Sequence, residues 1–185
     1  EDIKTGQMFI YFNDRARPGK RSEGTHFEVP LTPFKFSFPA FPSPEILAQM
    51  GRDLNPGARK IIIAVTSDDI ELEAFLRSYG ELRPEKDRPL AILAPRSAED
   101  IGKGMEAGWF KPYRLLERDI ALRKDGSLEP LPDMRGHDIL LIKTRGELSR
   151  LYGLADLAVV GRERNIFEPA CLGKPVLYFG DREAW

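Results

Sequence analysis

Hydroxyl, guanidinium and carboxylate side chains follow four of the strands that the sequence predicts, at the point where each strand ends. They lie in residues 66–68, 95–97, 143–147 and 162–168. Each segment also begins a predicted helix, so free backbone N–H groups accompany the polar side chains. In open α/β sheets ligands bind beyond the carboxyl ends of the strands, where such N–H groups favour anions. The pattern therefore indicates a ligand that carries a phosphate group.

The candidate residues in these segments have structural alternatives as well as functional ones. Glu168, three residues after Asn165, could accept two hydrogen bonds from the hydroxyl groups of a sugar. Alternatively, it is a first-turn carboxylate that the helix dipole favours. Thr66 or Ser67 would, in the structural interpretation, cap a helix, and Arg96 would be an ordinary surface arginine.

Several other kinds of site are not predicted. The sequence has no GxGxxG after a strand, no P-loop and no GxSxG. His26, His137 and Cys171 lack the spacing of metal ligands, so we predict neither a metal nor a cofactor. As the lone cysteine, Cys171 excludes an intramolecular disulfide and fits a reducing cytosol, and we interpret it as a small buried core residue.

The overall charge excludes two classes of partner. The chain has 28 lysines and arginines against 29 aspartates and glutamates, so no net field attracts nucleic acid or an anionic membrane. No apolar run approaches the ~20 residues that a membrane-spanning helix requires.

Short apolar runs alternate with amphipathic helical patterns along most of the chain. Continuous apolar strands between such helices predict a parallel sheet that is covered on both faces. The fold class is therefore α/β, with a doubly wound, Rossmann-like, mostly parallel sheet. The predicted strands are 8–12, 25–29, 60–65, 90–94, 113–116, 138–143, 157–160 and 176–179, and the predicted helices are 44–54, 68–79, 97–107, 146–155 and 166–172.

Two regions are predicted. Residues 1–43 contain a hairpin and an extended connector in which prolines and phenylalanines interleave, since proline disfavours helices and central strands. Residues 44–185 form the Rossmann-like domain, with a hairpin turn at 124–127. Because the sequence stops directly after a strand, we expect a piece of a longer protein, truncated at its C-terminus. The apolar connector would then expose surface, which predicts a homodimer.

Two long motifs occupy the last 40 residues. Residues 146–161 read GEL-x-x-LY-x-LAD-x-A-x-VG, and residues 165–180 read N-x-x-EPA-x-x-GKPVL-x-FG. Together with Pro95-Arg96 and the connector segment 32–36, these motifs resemble the C-terminal domain of the bacterial 3-deoxy-D-manno-octulosonic acid (Kdo) transferases. The resemblance extends over residues 30–185 and is densest after residue 146.

The resemblance implies one half of a GT-B glycosyltransferase, in which two Rossmann-like domains face each other across a cleft. Residues 44–185 would bind a nucleotide-sugar donor, CMP-Kdo, as a substrate and without a metal, for lipopolysaccharide and lipid A glycosylation. The catalytic base would lie in a missing N-terminal acceptor domain, so we expect the chain alone to be inactive. The whole protein would be cytoplasmic, at the periphery of the inner membrane. The predicted donor-binding residues are Thr66, Ser67, Arg96, Gly146, Glu147, Asn165 and Glu168.

The sequence departs from the family's motifs at three places. Ser97 replaces a histidine, residues 162–164 (Arg-Glu-Arg) replace a glycine-rich loop, and residues 65–68 differ from the family's Gly-Ser-Thr-His-like loop. Glu163 in the second of these is predicted to be solvated. Three alternatives therefore stay open: another GT-B glycosyltransferase, a nucleotide-sugar epimerase, or a degenerate domain that serves as an interaction module.

Overall fold

The structure is a computed structural model that describes residues 5–12, 25–30, 42–55, 57–82, 88–118, 129–143 and 147–179. Of the first two ranges only the backbone is described. Within these ranges no helix is long and apolar enough to cross a membrane. The predicted turn at 124–127, most of the connector and Gly146 lie outside the described residues.

All the predicted strands and helices are present among the described residues, most of them with ends that shift by one or two positions. The strands are β1 (Thr5–Phe12), β2 (Thr25–Pro30), β3 (Ile61–Thr66), β4 (Leu90–Pro95), β5 (Leu115–Arg118), β6 (Ile139–Ile142), β7 (Leu157–Val160) and β8 (Val176–Tyr178). The helices are α1 (Pro44–Leu54), α2 (Asp69–Gly80), α3 (Ala98–Glu106), α4 (Leu148–Leu151) and α5 (Phe167–Cys171).

The strands form one sheet in the order β2-β1-β8-β7-β3-β4-β6-β5. The six strands from β8 to β5 are all parallel, β1 runs parallel to β8, and β1 and β2 form the predicted antiparallel hairpin. The predicted α/β class with a mostly parallel, Rossmann-like sheet is therefore confirmed.

Alternate residues of the strands pack into two separate cores, one on each face of the sheet. Ile61, Ile63 and Val65 of β3 face a core that also contains residues of α1, α4 and α5. Ile62 and Ala64 face the second core, which α2 and α3 cover. This two-sided burial explains why β3 reads as an unbroken apolar run.

Side-chain caps set the starts of three helices. The Ser43 hydroxyl accepts a hydrogen bond from the N–H of Ile46 at 3.4 Å, so it caps α1. Asp68, rather than Thr66 or Ser67, caps α2. Ser97 caps α3. Each cap satisfies an N–H that has no partner within its own helix.

Two predictions about local structure were wrong in detail. The helix predicted at 146–155 begins at Leu148, ends at Leu151 and continues as the 3₁₀ turn Tyr152–Leu154. A Cβ at Gly153 would lie 2.6 Å from the Leu47 side chain, so α1 packs closely on that turn. Cys171 was predicted to be buried, but it is exposed. In α5 it is Pro169 that is buried, and a residue two positions further along a helix points to nearly the opposite side.

The order of the strands reverses between β3 and β7. From β3 the chain continues to β4 on one side, whereas β7 and β8 lie on the other side. The chain after β3 therefore leads to α2 on one face of the sheet, and the chain after β7 leads to α5 on the other face. Such a switch point is the general position of ligand sites in open α/β sheets.

Candidate functional site

A cleft of about 440 Å³ lies at the carboxyl ends of β3, β4, β6 and β7, beside this reversal of strand order. We call it the switch-point cleft. Its lining is mostly polar, and its polar residues are Arg96, Lys143, Ser149, Tyr152, Glu163, Arg164, Asn165 and Glu168.

Three of the predicted site residues line the cleft. They are Arg96 after β4, and Asn165 and Glu168 at the start of α5. Parallel strands bring these loops together although they are far apart in the sequence, because the carboxyl ends of parallel strands meet at one edge of the sheet. The structure thus collects these three in one place, while their role in binding stays a prediction.

Of the other predicted site residues, the three that the structure describes, Thr66, Ser67 and Glu147, do not line the cleft. Thr66 is fully buried, and its hydroxyl has no hydrogen-bond partner among the described residues. The Ser67 hydroxyl accepts a hydrogen bond from the N–H of Glu163 at 3.1 Å, so it joins two loops. Glu147 is buried just before α4, and within the described ranges its Oε2 has no partner.

Arg96 is already paired in the cleft. Its guanidinium forms a close ion pair with the carboxylate of Glu163. The Glu163 side chain is 67% exposed, which agrees with the predicted solvation, but the contact with Arg96 was not predicted. Because both partners are largely in water, the pair contributes at most about 1 kcal/mol to stability.

Asn165 organises the start of α5. Its Oδ1 accepts a hydrogen bond from the N–H of Phe167 at 3.0 Å, and its amide nitrogen donates to Glu168 Oε1 at 3.4 Å. The spacing N-x-x-E thus lets one side chain accept the N–H of the first residue of α5 and hold a carboxylate that lines the cleft. A helix-start signature of this kind is readable from the sequence.

Glu168 and Tyr152 form the partly desolvated wall of the cleft. Burial raises the pKa of the Glu168 carboxyl, and the hydrogen bond from Asn165 opposes this only in part. Burial also raises the pKa of Tyr152, where the charge of Glu168 adds to the effect and Arg164 opposes it. A ligand group that donates a hydrogen bond to Glu168 would therefore restore some of the solvation that its carboxylate has lost.

Five polar cleft residues were not among the predicted donor-binding residues: Lys143, Ser149, Tyr152, Glu163 and Arg164. Lys143, Glu163 and Arg164 lie in the polar segments that follow the predicted strands, whereas Ser149 and Tyr152 were missed altogether. Ser149 and Tyr152 are three positions apart, a spacing that places two side chains on one helical face, and this signal could have identified them. Arg164 was counted only as a bulky replacement for glycine. Its guanidinium donates to the Thr66 carbonyl oxygen at 3.2 and 3.3 Å, which turns it into the cleft.

The charges of the cleft suit a ligand with both an anionic and a hydroxyl-rich part. The guanidinium groups of Arg96 and Arg164 and the ammonium of Lys143 lie in the same lining as the carboxylates of Glu163 and Glu168. Guanidinium groups bind phosphate with two parallel hydrogen bonds, and carboxylates accept from hydroxyls. Among the described residues, no group of three or more His, Cys, Asp or Glu side chains is arranged to hold a metal ion.

The curated proteins that this chain matches in sequence include two enzymes of the same name. No family profile matches the chain. The 3-deoxy-D-manno-octulosonic acid transferase of Bordetella pertussis is 30% identical over 128 residues, which cover 64% of this chain and 28% of that protein. The enzyme of the same name from Aquifex aeolicus is 27% identical over 125 residues, covering 64% of this chain and 31% of that protein.

A solved structure is also similar. The C-terminal CMP-Kdo binding domain of WaaA from Acinetobacter baumannii is 19% identical, with a TM-score of 0.47 over 72% of this chain and 68% of that one. The chain spans less than a third of the length of the two curated relatives. The resemblance that the motifs predicted is nevertheless confirmed by the sequence comparison: this chain is similar to two bacterial 3-deoxy-D-manno-octulosonic acid transferases.

Proposed function

We propose that this chain is the donor-binding half of a Kdo-transferase-like glycosyltransferase, and that the switch-point cleft receives CMP-Kdo. The observation that carries the proposal is the convergence of Arg96, Asn165 and Glu168 on one polar cleft at the reversal of strand order. The relationship in sequence to two Kdo transferases supports the choice of ligand class.

The charges of the cleft residues determine the role that we assign to each of them in donor binding. Transfer of a sugar from an activated nucleotide needs a leaving group that is held in place while its phosphate charge is stabilised. Arg96 and Arg164 supply positive charge to the cleft, and Glu168 supplies a half-buried acceptor for sugar hydroxyls. Neither role requires a metal ion or a cofactor.

The acceptor and the catalytic base would belong to a second domain. The chain alone would therefore bind the donor weakly and turn nothing over. In the whole protein this half would act on the cytoplasmic side of the inner membrane, in lipopolysaccharide and lipid A glycosylation.

One observation favours a second candidate, an interaction module without a working donor site. Glu163 forms an ion pair with the guanidinium of Arg96. The loop that replaces the glycine-rich segment also donates hydrogen bonds within the chain, to the Ser67 hydroxyl and the Thr66 carbonyl oxygen. A cleft whose cations are all satisfied internally would have little reason to bind an anion.

Nucleotide titration separates the candidates. We expect isothermal calorimetry of the chain with CMP, UMP, GMP and AMP to show the tightest binding for CMP. Arg96→Ala should weaken CMP binding by about tenfold or more, since a charge-assisted hydrogen bond contributes roughly 1.5–3 kcal/mol. Arg77→Ala is the matched control, because Arg77 also forms an exposed ion pair but on α2, away from the cleft.

Two other results of the titration would each favour a different function. Preference for UMP would favour another GT-B glycosyltransferase or a nucleotide-sugar epimerase. Equal and negligible heats for all four nucleotides, with the chain folded, would remove the donor-site proposal and leave the interaction module.

A further inference from the structure

A carboxylate lies buried between the two loops of the switch point. Glu71, in the first turn of α2, is only 3% exposed. Taking an ionised carboxylate out of water is costly unless hydrogen bonds and opposite charge replace the lost solvation. The partners of Glu71 therefore show what it does.

Three donors from both loops meet this carboxylate. Oε2 accepts the backbone N–H of Ser67 at 2.7 Å, and Oε1 accepts the backbone N–H of Arg162 at 3.0 Å. Arg162 Nε lies 3.4 Å from the same Oε1 and adds the opposite charge. Backbone N–H groups and a guanidinium around one anion are the arrangement with which proteins bind phosphate.

The surroundings of Gly161 show that Glu71 and Ser67 fill the space next to this glycine. A Cβ at this position would lie 2.2 Å from Glu71 Oε2, 2.6 Å from Ser67 Oγ and 2.8 Å from Ser67 N. The glycine after β7 therefore lets the chain's own carboxylate, rather than a ligand, come close to the backbone. The position usually available to a ligand phosphate at a switch point is filled by Glu71.

The segment that Glu71 holds continues into the cleft. A second interaction holds Arg162 in place: its carbonyl oxygen accepts a hydrogen bond from the Tyr178 hydroxyl at 2.6 Å. The next residues are Glu163, Arg164 and Asn165, and all three line the cleft. The segment that lines the cleft is thus preceded directly by Arg162, whose backbone N–H donates a hydrogen bond to Glu71.

We propose that Glu71 is a positioning residue for the switch-point cleft. Its carboxylate is an internal anion that joins the loops after β3 and β7 and sets segment 162–165 before any ligand arrives. The inference has a consequence that rests on the proposed function: the donor's phosphate is received on the Arg96 side of the cleft, and the backbone N–H groups of Ser67 and Arg162 are not available to it.

Chemical rescue tests this role. Glu71→Ala should shift the amide NMR signals of Ser67 and Arg162 and weaken CMP binding by about tenfold or more, since hydrogen bonds to a charged group are lost. Added sodium formate, a free carboxylate small enough for the vacated position, should return both the signals and the affinity. Sodium chloride at equal ionic strength should return neither, which separates occupation of the site from screening.

The control is Glu73→Ala on the same helix, because Glu73 forms an exposed ion pair with Arg77 within α2. Glu71→Gln, which keeps the shape and removes the charge, carries the test if the alanine variant does not fold. Amide signals of Ser67 and Arg162 that stay unchanged in Glu71→Gln, or that ignore formate in a folded Glu71→Ala, would overturn the proposal. If the wild type binds no CMP, the donor-site function fails, while the formate response still decides the role of Glu71.

Discussion

Replacing Glu163 by glutamine should strengthen the binding of a phosphate-bearing ligand. In the sequence, Glu163 is a solvated turn residue whose substitution would be expected to do nothing. In the structure its carboxylate is paired with Arg96 in the lining of the cleft. A ligand phosphate that uses this guanidinium must first displace Glu163, and it then lies near a negative charge. Glu163→Gln removes both obstacles, and the loop keeps its place because the Glu163 N–H, not its carboxylate, is bonded to Ser67.

The exposure of the pair limits the size of the effect. An exposed ion pair contributes about 0.2–1 kcal/mol, so releasing Arg96 should improve affinity by about 1.4-fold to fivefold. Repulsion between Glu163 and a phosphate about 4 Å away adds ~1 kcal/mol in water, or about another fivefold. Together these give an increase of roughly sevenfold to thirtyfold.

Calorimetric titration with CMP at low and high salt measures this increase. Glu73→Gln is the matched control, because it breaks an exposed pair with Arg77 outside the cleft and should leave CMP affinity unchanged. In an Arg96→Ala background, only the repulsion between Glu163 and the phosphate remains, so the gain from Glu163→Gln should shrink. A lower affinity in Glu163→Gln would mean that Glu163 itself binds the ligand. An equal gain in both backgrounds would refute the competition for Arg96.

Three further predictions concern a binding residue, a close contact and an ion pair. Glu168→Gln should lower CMP affinity about tenfold or more and barely change the melting temperature, whereas a loss of stability at constant affinity would leave this residue only a helix-dipole role. Gly161→Ala should cost about 1–3 kcal/mol in urea unfolding, since its Cβ would lie 2.2 Å from a buried carboxylate oxygen. Gly102→Ala, whose Cβ would meet nothing within 4 Å, should gain about 0.5–1 kcal/mol in helix α3, and equal effects would contradict the crowding argument. Burial would raise the pKa of Asp156, but hydrogen bonds from Lys60 and a backbone N–H keep that pKa below its usual value. Asp156→Asn should therefore reduce the free energy of unfolding at neutral pH, and the deficit should disappear as the pH falls below 3.8 through the lower pKa of the folded state; a pH-independent deficit would refute this.

The elements of the fold were readable because their signals are local. A strand buried on both faces needs apolar residues at every position, so β3 and β4 stand out as unbroken runs. Helix starts need a side-chain acceptor a few positions before a donor, so Ser43 and Ser97 mark α1 and α3. The end of a short helix is less local. Close packing of α1 on Gly153 accompanies the change to a 3₁₀ turn after α4, and that contact is not visible in the segment itself.

The candidate site could be predicted only in part, because contacts between distant segments are not visible in a local sequence pattern. Arg96, Asn165 and Glu168 could be selected because polar residues after parallel strands must share one edge of the sheet. Thr66 and Ser67 met the same criterion but do not line the cleft: Thr66 is buried, and the Ser67 hydroxyl accepts the N–H of Glu163. Position after a strand decides which edge a residue reaches, but not which way its side chain turns.

By itself, the sequence determined the alternation of strands and helices, the parallel class of the sheet and the loops that must gather at its carboxyl edge, since each of these depends on hydrophobic pattern and chain direction. Only the tertiary structure decided which of the gathered charges neutralise one another. Arg96 meets Glu163 and Arg162 meets Glu71 across 67 and 91 residues of chain. These pairings depend on the order of the strands in the sheet and on the space left by Gly161, and no periodicity along the chain records either of them.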